Sequence, residues 1–179
     1  MEKRASFTKE LSKILLKNGA ISDKDSATLQ RSFAESSKGT FDEFLLDEGL
    51  VDKKDLLKAL SQYYNVPAVD VDGFFFDPFL LHQIPKDVMI RHLFIPMEVD
   101  QNMMTVVANE PDEPLLLSII GDYFTYDIRL LVGLRQDIIN AIMEYYDPAS
   151  TEDQPYEDRP TMAEQEEEFP ISDEDIIDQ

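Results

Sequence analysis

Apolar residues recur at helical spacing at Leu11, Ile14 and Leu15 and again at Phe41, Phe44 and Leu45, so the first stretch of the chain predicts amphipathic helices. The two runs are a duplication. Aligning Gly19 with Gly49 gives a period of 30 that pairs Leu11 with Phe41, Ile14 with Phe44, Leu15 with Leu45, Ile21 with Val51 and Lys24 with Lys54. Each glycine stands where a helix ends in a left-handed residue, and Ser22 or Asp52 follows as the amino-cap of the next helix. The repeating unit is helix, turn, helix. Leu56, Leu57 and Leu60 continue the apolar face of the second copy, whereas the first has only Ala27 and Leu29 before Phe33. Two copies are too few for a solenoid and predict a compact helical bundle over residues 1–65.

From Val66 the pattern changes. Residues 66–71 read as a short strand, and Asp77-Pro78 opens a helical turn with proline at a tolerated first position, closed by Ile84-Pro85. Residues 94–99 and 103–108 are apolar runs flanking Asp100-Gln101-Asn102, which predicts a hairpin of two antiparallel strands. Residues 114–123 have helical spacing, 126–132 alternate like a strand, and 135–146 place Ile138, Ile139, Ile142 and Met143 on one helical face. Residues 66–147 therefore read as a small α/β subdomain with a mixed or antiparallel sheet. The fold class is α+β.

Charge divides the chain in the same places. Residues 1–65 carry eleven basic and eleven acidic side chains, residues 66–147 four and fourteen, and residues 148–179 one and twelve. The last segment holds Pro148, Pro155, Pro160 and Pro170 among its acids, with few large apolar residues, a composition that cannot offset chain entropy and predicts a disordered tail. The net charge of −21 repels nucleic-acid phosphates and anionic lipid headgroups, so nucleic acid is not an expected partner. There is no cysteine, which removes disulfides, thiolate nucleophiles and cysteine zinc sites and fits a reducing compartment. No run of eighteen apolar residues and no signal-like leader occurs, so direct membrane insertion is not expected and the cytoplasm is the expected compartment.

Val66-Pro67, Val69-Asp70, Asp77-Pro78, Leu81 and Ile84-Pro85, then Pro96, the run from Thr105 to Pro111, and a last helix ending Glu144-Tyr145-Tyr146 stand in a characteristic order. Over about residues 7–147 the chain resembles the amino-terminal domain of type II secretion and type IV pilus assembly ATPases, the GspE N-terminal or MshEN-like domain. The ATPase core of that family carries a phosphate-cradling G-x-x-x-x-G-K-S/T loop, which this sequence lacks. The expectation is thus the adaptor portion alone, non-catalytic and without a cofactor. The resemblance implies docking on an inner-membrane platform protein or an associated ATPase, or, as the alternative, a cyclic di-GMP-binding receptor domain with a degenerate motif.

The family's ligand motif, R-L-G-x-x-L-x-x-x-G, six residues, then L-x-x-x-L-x-x-Q, falls in the second copy on Thr40, Phe41, Asp42, Leu45, Gly49, Leu56, Leu60 and Tyr63. In the first copy it falls on Glu10, Leu11, Ser12, Leu15, Gly19, Ser26, Gln30 and Phe33. The apolar scaffold of Leu11, Leu15, Phe41, Leu45, Leu56 and Leu60 with Gly19 and Gly49 survives, and the arginines and glutamines that would read the nucleotide do not. Each lost charge-assisted hydrogen bond forfeits about 1.5–3 kcal/mol.

Other candidate chemistry is sparse. His82 and His92 lack metal-ligand spacing, and Asp70-Val71-Asp72-Gly73 opens like a calcium loop but continues with Phe74 and Phe75 where an oxygen ligand and glycine are required. No metal site is expected. Phe74, Phe75, Phe76 and Phe79 either seal the joint between the two halves or face a protein partner. In the tail, Phe169 and Ile176 sit in an interleaved apolar and acidic run, the composition of segments that fold on a basic groove.

Overall fold

The duplication seen in the sequence is a duplication of hydrogen bonds. In the computed structural model, helix α1 (Glu2–Lys17) ends at Gly19 and helix α3 (Phe41–Asp47) ends before Gly49, both glycines with left-handed φ of 75° and 62°. Ala20 N–H donates to Leu15 O and Gly19 N–H to Leu16 O, each at 3.0 Å; thirty residues on, Leu50 donates to Leu45 and Gly49 to Leu46, each at 2.9 Å. The same two orphan carbonyls are satisfied in each copy. Helices α2 (Asp23–Ser36) and α4 (Lys53–Tyr64) follow, and α1 packs on both. Residues 2–36 and 39–146 are described by the structure, and all of them fall within one compact unit.

The predicted hairpin forms as strands β1 (Phe94–Asp100) and β2 (Met103–Ala108), with Gln101 left-handed at the turn. β3 (Asp127–Val132) lies parallel to β2, reached through the crossover helix α7 (Leu116–Gly121), so the three-stranded sheet is mixed, in the order β1-β2-β3. Pro96 sits on edge strand β1 beside the register shift before Glu98, where a missing N–H is tolerated. Helices α5 (Pro78–Leu81), α6 (Lys86–His92) and α8 (Arg135–Tyr146) complete the layer. The helical turn predicted at Asp77-Pro78 forms as α5, and Asp77 caps it, its carboxylate accepting the Phe79 N–H at 2.9 Å.

Two elements differ from the pattern. Residues 66–71 make only one bridge, Ala68 to Val132, with Val69 N–H donating to Val132 O and Val132 N–H to Pro67 O. Pro67 has no N–H to continue the ladder, and the chain turns away at Asp70, whose side chain accepts the Asp72 N–H. The helix predicted over residues 114–123 is shorter, Leu116–Gly121, and it buries Leu116 and Ile120 while Leu115 and Leu117 face solvent.

Apolar residues gather in two clusters. One contains Leu11, Leu15, Phe41, Leu45, Leu56 and Leu60, and takes in Val132, the last residue of β3, and Leu134 just after it. The other lies between the sheet and α5–α8, around Phe94, Ile95, Val106, Ile138 and Ile142. The first turn of α8 is tied to the helical repeats twice. Arg135 Nε is 3.1 Å from Glu43 Oε1, and Lys53 Nζ is 3.0 Å from Asp137 Oδ2. Gly133 packs so closely that a Cβ there would stand 2.6 Å from Val107 Cγ1.

Candidate functional site

A cleft of about 110 Å³ opens where the helical repeats meet the end of β2. Its walls are aromatic: Phe7 from α1, Phe33 from α2, Phe41 from α3, and Tyr63 and Tyr64 from α4. The rings hold one another in edge contacts, Phe7 to Tyr63 at 5.0 Å, Tyr63 to Tyr64 at 4.8 Å and Phe33 to Phe41 at 5.2 Å between centroids. Polar groups enter from two sides. Thr40 and Asp42 stand at the start of α3, and Asn109 and Glu110 follow the last residue of β2. The α3 entrance is fixed by Glu43, whose carboxylate accepts the Thr40 N–H at 2.8 Å and the Thr40 hydroxyl at 3.0 Å.

Asp42 is the chemically unusual member. It is 4% exposed, and burial pushes its carboxyl above the ordinary value, although hydrogen bonds with Thr40 and Asn109 pull the other way. Burial also raises the Tyr64 phenol strongly, and the negative charges of Glu110, Asp112 and Asp42 push it further. The carboxyl groups of Glu110, Asp112 and Asp42 all act on that one hydroxyl.

The ligand motif implied by the resemblance maps onto this cleft. Thr40, Phe41, Asp42, Leu60 and Tyr63, all positions of the second motif copy, line it, and so does Phe33, which occupies the glutamine position of the first copy. Leu11, Leu15, Leu45 and Leu56 are fully buried and do not line it, and Gly19 and Gly49 end helices with nothing within 4 Å of where a Cβ would stand. Phe7, Tyr64, Asn109 and Glu110 were not singled out from the sequence. Phe7 was legible, lying one helical turn before Leu11, whereas Asn109 and Glu110 arrive from a strand end that only the tertiary fold brings near α3.

The aromatic segment divides. Phe76 is 4% exposed, its ring 5.9 Å from Tyr145 and its N–H donating to the Tyr145 hydroxyl at 2.7 Å, and half-buried Phe74 packs on it edge-on at 4.8 Å. Phe76 is thus a core residue and is corrected as a partner-facing one, and Phe74 packs against the core while staying partly exposed. Phe75 and Phe79 are 92% and 85% exposed. Phe169 and Ile176 lie outside the described residues. His82 Nδ1 is 2.6 Å from the Pro78 carbonyl oxygen, and His92 Nδ1 is 3.1 Å from Glu113 Oε1. Asp70 and Asp72, the start of the calcium-like run, receive Lys53 Nζ at 2.8 and 3.6 Å, so an ammonium stands where a cation was considered. Among the described residues no cluster of metal-ligating side chains occurs, and no helix is long and apolar enough to cross a membrane.

Helical repeats followed by a mixed three-stranded layer, with a cleft on the degenerate motif, define the class: the chain carries a GspE/MshE-like N-terminal domain. Residues 64–152 match the family model described as the MshEN domain. The chain is 26% identical over 102 residues to the type IV pilus assembly ATPase PilB of Myxococcus xanthus (strain DK1622), a match covering 57% of this chain and 18% of that protein. It is 21% identical over 136 residues to bacteriophage adsorption protein B of Escherichia coli (strain K12), covering 76% of this chain and 18% of that protein. The chain therefore spans under a fifth of the length of these curated relatives. A solved structure of MshE with cdg superposes with a TM-score of 0.60 at 14% identity, covering 76% of this chain and 98% of that one. The N-terminal domain of XpsE superposes at 0.52 and 20% identity, covering 75% and 92%. At these identities the two superpositions establish the fold.

Proposed function

We propose that this chain is a non-catalytic protein-interaction module of the cytoplasm, an adaptor that docks on an inner-membrane platform protein of a secretion or pilus machine or on its ATPase. The observation that carries the reading is the pair Phe75 and Phe79, two phenylalanines four residues apart that the fold leaves almost wholly in solvent. Phe74 and Phe76 satisfy the core from the same segment, so packing gives no reason for the outward pair. Residues 148–179 add an acidic segment suited to a salt-sensitive second contact on a basic partner.

The test is titration calorimetry of the full chain against the purified cytoplasmic segment of the platform protein and against the ATPase. The reading requires saturable binding to one of them that weakens about tenfold or more in Phe75→Ala/Phe79→Ala with an unchanged circular dichroism spectrum. Absence of binding to both overturns it. Loss of the tail at residue 147 should remove the salt dependence of the association.

A second reading is favoured by one observation: the cleft falls on the positions of the cyclic di-GMP motif, and MshE was solved with cdg. Against it, Asp42 and Glu110 would face a dianionic ligand, and the arginine and glutamine positions hold Thr40, Tyr63 and Phe33. Saturable heat with cyclic di-GMP in the micromolar range would replace the adaptor reading by the receptor one.

A further inference from the structure

We propose that the chain self-associates through the outer edge of β3, which pairs antiparallel with β3 of a second copy about a two-fold axis at Ile128. This surface shares no residue with the exposed Phe75 and Phe79 and stands apart from the adaptor reading.

The hydrogen-bond pattern of β3 shows which groups are left over. Asp127 N–H donates to Asn102 O and Gly133 N–H to Ala108 O, so the odd-numbered residues bond inward to β2 and the even-numbered ones point outward. Val132 finds backbone on the outer side, donating to Pro67 O and accepting from Val69 N–H, with Ala68 bridged to it. Ile128 and Leu130 lie earlier on the same edge, and among the described residues no strand runs beside them there. Val132 is covered by the helical repeats, whereas Ile128 and Leu130 pack at the border of the sheet's own core and stay half-buried. Their outward N–H and C=O groups form an edge onto which another strand can add.

The side chains along this edge select the strand. Tyr126, Ile128 and Leu130 alternate with Asp127 and Arg129, so apolar groups project to one face and opposite charges to the other. Laid antiparallel on itself with Ile128 opposite Ile128, the segment sets Asp127 of each copy against Arg129 of the other and Leu130 against Tyr126. The outward-pointing Ile128 and Leu130 then fall in hydrogen-bonded pairs, and the charges in the alternate pairs where side chains approach most closely. A register centred on Arg129 would instead oppose two guanidinium groups, so charge fixes the one centred on Ile128. Both charges are accessible. Arg129 is exposed and makes no ion pair among the described residues, and exposed Asp127 has a neutral partner, the Asn102 amide at 3.2 Å.

The opposite edge of the sheet limits the assembly. On β1, Pro96 lacks an N–H, the register shifts before Glu98, and exposed Glu98 and Asp100 add charge, all of which oppose pairing there. Two-fold pairing uses the same edge on both copies, so it closes as a dimer and does not grow into a fibre.

Sedimentation equilibrium of the full chain tests the pairing in about 0.15 M salt, which screens repulsion between two acidic chains beyond roughly 8 Å. A reversible dimer is expected, with amide exchange at Ile128 and Leu130 slowing as concentration rises. Arg129→Glu and Asp127→Lys each place like charges across the axis and should each weaken the dimer about tenfold or more, with unchanged circular dichroism spectra. An equimolar mixture of these two variants should dimerise again, because Asp127 then meets Arg129 and the introduced glutamate meets the introduced lysine. Phe75→Ala/Phe79→Ala should leave the dimer intact. A chain that stays monomeric up to about 1 mM, a dimer that neither charge variant weakens, or a mixture that stays dissociated would each overturn the pairing. Loss of platform-protein or ATPase binding in Arg129→Glu, from a chain that is itself monomeric, would overturn it too and assign the edge to a strand of that partner.

Discussion

Lys53 Nζ lies 3.0 Å from Asp137 Oδ2, joining the first residue of α4 to the first turn of α8 across more than eighty positions of sequence. A lysine at a helix amino-terminus opposes the helix dipole, and the carboxylates of Asp137, Asp70 and Asp72 around it reverse that penalty. Burial would lower the Lys53 pKa, yet hydrogen bonds to Asp70 and Asp137 raise it strongly above the ordinary lysine value. The ammonium is therefore held in its charged form.

Breaking this joint should have graded effects. Asp137 is the least exposed of the three acids, so Asp137→Ala is expected to cost about 1–3 kcal/mol, while Asp72→Ala, in solvent and 3.6 Å away, should cost under about 0.5 kcal/mol. Urea unfolding of both variants checks the order. Equal losses would show that the joint does not depend on burial.

The pH dependence has two opposite contributions. Burial would raise the Asp70 carboxyl, but Lys53 and the Asp72 N–H hold it below its ordinary 3.8, so its stabilisation is present above that value and lost as pH falls through the lower folded one. Burial raises Asp42 above 3.8, so in the folded state it holds its proton to higher pH, and stability declines as pH rises through that window. Asp42→Asn should therefore be at least as stable as the parent at pH 7, with the difference vanishing near pH 3. Asp70→Asn should lower stability at pH 7 and flatten the acid limb. Thermal melts across pH 3–8 give both signs.

Glycine replacements separate backbone strain from packing. Gly49→Ala meets no atom within 4 Å but must hold a φ of 62°, which should cost about 1 kcal/mol. Gly133→Ala has no left-handed backbone and instead drives a Cβ to 2.6 Å from Val107 Cγ1, which should cost about 1–3 kcal/mol. Adding Val107→Ala should recover part of the Gly133→Ala loss and none of the Gly49→Ala loss, as read in chemical denaturation.

Among the phenylalanines of the connecting segment, exposure predicts opposite behaviour. Phe76→Ala should cost about 3–5 kcal/mol, because it leaves a cavity beside Tyr145. Phe75→Ala and Phe79→Ala should each change stability by less than about 0.5 kcal/mol, and any loss of function in them is then a loss of association. Differential scanning calorimetry alongside a binding assay distinguishes the two.

The sequence by itself determined what depends on near neighbours: the period of 30 and its helix ends at Gly19 and Gly49, the hairpin around Gln101, the helical turn opened by Asp77-Pro78 and the α+β order of elements. Each follows from backbone geometry and apolar spacing within a few residues, and the resemblance to the GspE/MshE amino-terminal domain rests on that same order. Only the tertiary structure decided that β3 runs parallel to β2, that residues 66–71 make one bridge, and that Phe75 faces water while Phe76 does not. It also brought Asn109 and Glu110 to the aromatic walls of four helices and Lys53 to acids read in the sequence as a turn. These outcomes depend on burial shared among distant segments, and burial is a property of the packed whole that no local pattern of residues carries.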